Sequence, residues 1–87
     1  MDLAATIRER LAALEPTSVD LEDESGRHAG HEGAKGGGRH FRLKIVSARF
    51  AGRPARERHR MVYAALGDLI GREIHALAIA ARAPDEL

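Results

Sequence analysis

Cysteine is absent from this sequence of 87 residues, and so is tryptophan. Without cysteine the chain can form no disulfide and can offer no thiolate to a metal or a substrate. Only three residues are aromatic, namely Phe41, Phe50 and Tyr63. We therefore expect a small core built mainly from leucine, isoleucine, valine and alanine, within one domain.

Long apolar segments are lacking as well. The first residues carry charges at Asp2, Arg8 and Glu9, which excludes the uninterrupted apolar run of a signal peptide. No stretch reaches the length that a membrane-spanning helix needs, so we expect no membrane contact. The expected location is the cytoplasm, whose reducing conditions suit a chain without disulfides.

Charge is unevenly distributed, although the net charge is only +1. Residues 1–32 contain eight acids and three bases, whereas residues 39–60 contain eight bases and a single acid, Glu57. Such a basic segment can attract an acidic partner or nucleic acid. It can equally be a solvated basic face balanced by an acidic one, and charge alone does not decide between these readings.

The hydrophobic pattern predicts a helix followed by two strands. Leu3, Ile7 and Leu11 recur at helical spacing, with Asp2 as the cap, so a helix is expected over residues 3–14. Residues 18–24 and 40–48 alternate between apolar and charged side chains, which is typical of half-buried strands. The glycine-rich residues 25–38 between them are expected to form a flexible loop that closes an antiparallel hairpin.

The second half of the sequence predicts a helix and a third strand. Apolar residues repeat at helical spacing over 61–70, Pro54 suits a first helical position, and Gly71 suits a C-terminal cap. The arginine-rich residues 53–58 are expected to form a separate short helical turn. Residues 74–82 are apolar apart from His75 and predict a strand parallel to the second one. The expected fold is α+β, a three-stranded mixed sheet with helices on one face, in the order helix-strand-strand-helix-helix-strand.

Several of these segments, taken in order, resemble the BolA-like family across nearly the whole chain. They are Asp23-Glu24-Ser25 with His28, Phe41 to Ser47 with Phe50-Ala51-Gly52, Arg58-His59-Arg60 with Tyr63, Ile74-His75-Ala76-Leu77, and Pro84-Asp85-Glu86. The resemblance implies a fold similar to the type II K-homology domain.

The resemblance also implies a function, that of an adaptor for a monothiol glutaredoxin. In such proteins a 2Fe–2S cluster is shared with the glutaredoxin, which contributes thiolates together with glutathione. The matching positions here are His75 and His28, with His31 as a less favoured alternative to His28. We expect no cofactor on the chain alone, a monomer that forms a heterodimer with its partner, and a role in iron–sulfur trafficking or iron regulation.

Each histidine also has a purely structural interpretation. His75 at a strand start can be held by hydrogen bonds, and His28 can be a solvated loop residue. His40 is expected to open the second strand without chemical function, and His59 to lie at a helix start or to help form a contact surface. Because an imidazole on a loop must first be ordered, His28 is expected to be the weaker ligand of the two.

Enzyme signatures are missing, and the serious alternative is nucleic-acid binding. The sequence contains no Gly-x-Ser-x-Gly elbow, and no Gly-Lys-Ser/Thr follows its glycines. We therefore expect a protein that is not an enzyme. The alternative function is a DNA-binding transcriptional regulator that uses Arg53, Arg56, Arg58 and Arg60. Residues 53–59 lack the Gly-x-x-Gly clamp of K-homology domains, which counts against the usual mode of binding.

Overall fold

The computed structural model describes residues 2–24 and 39–87 of the chain. The expected glycine-rich loop at residues 25–38, with His28 and His31, lies outside the described residues. The helices and strands are α1 (Leu3–Leu11), β1 (Ser18–Asp23), β2 (Arg39–Val46), α2 (Ala55–Leu66) and β3 (Ile74–Arg82). Short 3-10 turns occupy Ala12–Leu14, Ala48–Phe50, Gly67–Leu69 and Pro84–Glu86.

Helix α1 begins at the predicted cap and ends earlier than expected. The Asp2 carboxylate accepts a hydrogen bond from the Ala4 N–H at 3.1 Å, which satisfies one of the free amides of the first turn. The α-helix stops at Leu11, and the expected residues 12–14 form a tighter 3-10 turn instead. Glu15 follows with a φ of 51°, a left-handed conformation that turns the chain towards β1.

The sheet confirms the predicted class and topology. Its order is β1-β2-β3, with β1 antiparallel to β2 and β3 parallel to β2. Leu21 lies opposite Leu43, and Leu43 lies opposite Ile79, so apolar residues of all three strands share one face. The helices cover that face, because the fully buried Ile7, Leu11, Val62 and Leu66 of α1 and α2 join the strand residues in one core.

The other face of the sheet is open to solvent. Along β2, Phe41, Leu43 and Ile45 are buried, whereas Arg42 and Lys44 between them are exposed. This is the alternation that predicted a half-buried strand from the sequence.

The connection from β2 to β3 differs in detail from the prediction. The separate turn expected at 53–58 lies instead at Ala48–Phe50, and Arg56 to Arg58 belong to α2 itself. Pro54 is the residue just before α2 rather than the first helical one. The α-helix ends at Leu66, because Gly67 adopts a φ of 57° and begins a 3-10 turn, so Gly71, with a φ of 86°, caps no α-helix.

Since β2 and β3 are parallel and α2 returns between them, the fold has two distinct ends. β2 and β3 begin at one end and finish at the other, where α2 begins, whereas β1 runs in the opposite direction. We call the first the histidine end, for His40 and His75. We call the second the arginine end, for Arg49, Arg53, Arg56, Arg58 and Arg60. No helix within residues 2–24 and 39–87 is long and apolar enough to cross a membrane.

Candidate functional site

The histidine end brings His40 and His75 together. Each is the second residue of its strand, His40 in β2 and His75 in β3, and both are exposed. Their ring centroids lie 5.7 Å apart with the ring planes tilted by 55°. The strand register explains this contact. Arg39 pairs with Ile74 but His40 pairs with Ala76, so His75 is an extra residue beside His40.

The sequence prediction selected His75 and missed its neighbour. From the sequence, His40 is expected only to open the second strand. The sequence contains one indication of this contact, because both histidines lie at the starts of strands that are predicted to be parallel. Recognising it required the register of β2 against β3, which the residue pattern alone does not define.

Two imidazoles make an incomplete metal site. Imidazole nitrogen is a good ligand for iron and zinc. Within the part of the chain that the structure describes, no three side chains of histidine, aspartate or glutamate are grouped closely enough to hold a metal ion. The described residues therefore present two neighbouring imidazoles and no complete set of metal ligands. His28 and His31 lie outside the described residues, and their assignment remains a prediction.

The backbone around the pair is held by interactions at the start of β2. The Glu24 N–H donates to the carbonyl of His40 at 2.8 Å, which extends the pairing of β1 with β2 by one residue. Arg39 forms an ion pair with Asp23, and its guanidinium lies 5.4 Å from the centroid of the Phe41 ring. Arg42 pairs with Glu24 at 3.2 Å. These two ion pairs, which join β2 to the end of β1 and to Glu24 just after it, therefore lie at the histidine end of the sheet.

At the arginine end, Arg58 is a structural residue. Its two terminal nitrogens lie 2.6 Å from the two Glu86 oxygens, and it also donates to the carbonyl of Ala81 at 3.0 Å. Its Nε donates to the carbonyl of Arg53 at 2.7 Å, and only 12% of its side chain is exposed. The hydrogen bonds from Arg58, joined by one from the Ala83 N–H, lower the pKa of Glu86 to about 2.

The other arginines divide into paired and available ones. Arg49 makes two hydrogen bonds to Glu15, at 3.0 and 2.7 Å, and Arg53 contacts Glu57 at 3.4 Å. Arg56 and Arg60 are exposed on one side of α2, and within residues 2–24 and 39–87 neither has an ion pair or a side-chain hydrogen bond. Of the four arginines predicted to form a basic surface, Arg56 and Arg60 therefore have no partner among the described residues. Arg53 is loosely paired, and Arg58 is held by hydrogen bonds within the fold.

Three comparisons with known proteins agree with one another. The model of the BolA-like protein family matches residues 11–86. Human BolA-like protein 1 is 47% identical over 81 residues, which are 92% of this chain and 57% of that protein. The BolA domain of SufE1 from Arabidopsis thaliana has a TM-score of 0.83 at 40% identity, covering 100% of this chain and 98% of that one.

A bacterial relative has a more specific name. The DNA-binding transcriptional regulator BolA of Escherichia coli (strain K12) is 38% identical over 78 residues, covering 84% of this chain and 71% of that protein. The chain spans little more than half the length of the human relative.

Proposed function

The chain belongs to the BolA-like family, and we propose that it is a non-enzymatic adaptor that binds a monothiol glutaredoxin and shares a 2Fe–2S cluster with it. The observation that supports this most directly is the exposed His40–His75 pair, with ring centroids 5.7 Å apart, at the end of the sheet. A pair of nitrogen ligands without a third ligand among the described residues suits a centre that two proteins complete together.

In this proposal the ligands are divided by chemistry between the two proteins. The cysteine-free chain contributes imidazole, and the glutaredoxin with glutathione contributes thiolates. His75 is the strand ligand, and His28 is the loop ligand, with His31 less favoured. Replacing thiolate by imidazole removes negative charge from the centre, which raises its reduction potential. Alone, the chain is a cytoplasmic monomer without cofactor, and it serves in iron–sulfur trafficking or iron regulation.

His40 is the residue that the structure adds to this proposal. It lies on a packed strand beside His75, whereas His28 lies in the segment that follows Glu24. The His40 imidazole is placed to orient the His75 ring or to replace the loop histidine as the second nitrogen donor. In either role its removal changes the electronic spectrum of the centre more than it changes association of the two proteins.

The test is co-purification with a monothiol glutaredoxin under anaerobic conditions in the presence of glutathione. We expect a one-to-one complex whose visible absorption and circular dichroism differ from those of the glutaredoxin's own cluster. His59→Ala is the matched control, because His59 lies half-buried at the arginine end. If no complex forms, with or without cluster, the proposal is wrong.

The alternative function is DNA binding, and two observations support it. Arg56 and Arg60 project from α2 without ion pairs among the described residues, and a relative at 38% identity is named as a DNA-binding regulator. Phosphate contacts by such cations release counterions, so the affinity would fall steeply with salt. This surface is at the other end of the fold from His75, so the two functions do not exclude each other.

A further inference from the structure

The two edges of the sheet differ in how they are protected. β1 and β3 are the edge strands. β1 has acids at Asp20, Glu22 and Asp23, which discourage pairing with another strand. β3 has nine residues and no acid or arginine before Arg82, and its open-face residues Ala76, Ala78 and Ala80 are small. β3 therefore lacks the usual safeguards against strand addition along most of its length.

The backbone of β3 offers hydrogen-bonding groups on its outer side. The Arg82 carbonyl accepts from the Ser47 N–H on the β2 side, whereas the Ala81 carbonyl accepts from Arg58 on the outer side. Because backbone groups alternate along a strand, those of Leu77 and Ile79 also face outward. Within the described chain, neither of these residues has a hydrogen bond to its outward N–H or C=O.

A basic groove borders the outer side of β3. It has a volume of about 510 Å³ and lies between the start of α2 and the last residues of β3. Its lining includes three arginines, Arg53, Arg58 and Arg82, together with His59. Glu86, its only acid, is already paired with Arg58. A segment that lies along β3 and carries acidic residues near Arg82 complements this charge.

We propose that β3 accepts an extended, acidic peptide segment of a partner protein as a fourth strand. Main-chain hydrogen bonds to Leu77 and Ile79 give the pairing, and the basic groove selects the acidic residues. A second copy of this chain fits less well. Pairing of two β3 edges by a two-fold axis makes the two strands antiparallel, and β3 contributes no acidic residue to complement the basic groove of the other copy.

The test uses three acetylated heptapeptides of alternating valine and threonine. One has two aspartates at its N-terminus, one has them at its C-terminus, and one has two lysines instead. We expect an aspartate peptide, in the orientation that places its acids near Arg82, to slow hydrogen exchange at the Leu77 and Ile79 amides at least tenfold. Equal binding of the lysine peptide, or no change at these amides, would overturn the proposal.

A pair of variants separates strand addition from other binding. Ile79→Pro removes an outward N–H but no bond to β2, so we expect it to fold and to lose the peptide. Ile79→Val keeps the N–H and should bind normally. If Ile79→Pro does not fold, the double variant Arg53→Glu with Arg82→Glu provides the test, and it should lower the affinity for the aspartate peptides at least tenfold. Unchanged affinity overturns the proposal. If, in the absence of peptide, protection of the same amides rises with protein concentration, β3 pairs with a second copy of this chain, and the proposal of a peptide partner is overturned.

Discussion

The histidine end and the arginine end of the fold present their polar side chains in opposite ways. His40 and His75 are exposed and held in place by the strands that carry them. At the arginine end, most of the cations are bound to carboxylates or carbonyls of the same chain. Arg58 is the extreme case, with a bidentate pair to Glu86 and two backbone contacts.

The difference shows why a count of charges overestimates a binding surface. The segment of residues 39–60 contains eight bases, yet on α2 only Arg56 and Arg60 lack a partner among the described residues. The two ends are also well separated, because the six residue-to-residue steps from Ala76 to Arg82 extend about 20 Å along β3. Variants at one end should therefore leave the other end unchanged, and the predictions below test this independence.

The largest expected effect is at the histidine end. His75→Ala should abolish the mixed-ligand spectrum of the cluster in the glutaredoxin complex, because an anchored nitrogen donor is lost. His40→Ala should shift the spectrum and shorten the lifetime of the cluster without preventing association. Absorption and circular dichroism of the purified complexes measure both effects. An unchanged spectrum for His75→Ala would leave this histidine with a structural role only.

The next effect concerns the available cations of α2. Arg56→Glu with Arg60→Glu should weaken any DNA binding more than tenfold and flatten its dependence on salt, because phosphate contacts are lost. Fluorescence anisotropy with a labelled duplex at several salt concentrations measures both quantities. The glutaredoxin complex of the same variant serves as the control and should form normally. Affinity that is insensitive to these two changes would exclude this surface of α2.

A smaller effect separates the structural arginine from its exposed neighbour. Arg58→Ala should lower the melting temperature by about 5 °C, because it leaves Glu86 and the Ala81 carbonyl without their partner. Arg56→Ala, two positions earlier in the same helix, should have almost no effect. Thermal unfolding followed by circular dichroism compares the two variants. Equal melting temperatures would mean that the contacts of Arg58 contribute little to stability.

The smallest effect is the dependence of stability on acid. Glu86 has a pKa of about 2 in the folded protein, below its ordinary value of 4.5, because Arg58 and the Ala83 N–H stabilise its charged form. A depressed pKa stabilises the fold at pH values above 4.5, and that contribution is lost as the pH falls from 4.5 towards 2. Denaturant unfolding of Glu86→Gln at several pH values should show a shallower loss over this window than the parent protein. Identical slopes would contradict the assignment.

Much of the fold could be predicted because local patterns and global packing agree. The alternation of Phe41, Leu43 and Ile45 identified the buried face of β2, and the apolar run that follows His75 identified β3. The sequence pattern places the end of α2 too late, because Leu69 continues the helical spacing of apolar residues. The positive φ of Gly67 ends the α-helix before that residue. A periodic pattern reports burial, and Leu69 is buried without belonging to the helix.

The candidate site was less predictable, because it depends on pairing between distant residues. His75 could be selected through the resemblance, but its contact with His40 arises from the register shift between β2 and β3. Likewise, Arg58 and Arg56 look equivalent in sequence. Only the position of Glu86, 28 residues away, makes one structural and leaves the other exposed.

The contacts of Arg58 also have a consequence for the way the molecule opens. One guanidinium joins the turn before α2, the last part of β3 and the turn at Pro84–Glu86. These segments cannot separate one at a time without breaking the same cluster of hydrogen bonds. The turn at Pro84–Glu86 should therefore open together with the first turn of α2, as one cooperative unit in native-state hydrogen exchange, rather than separately.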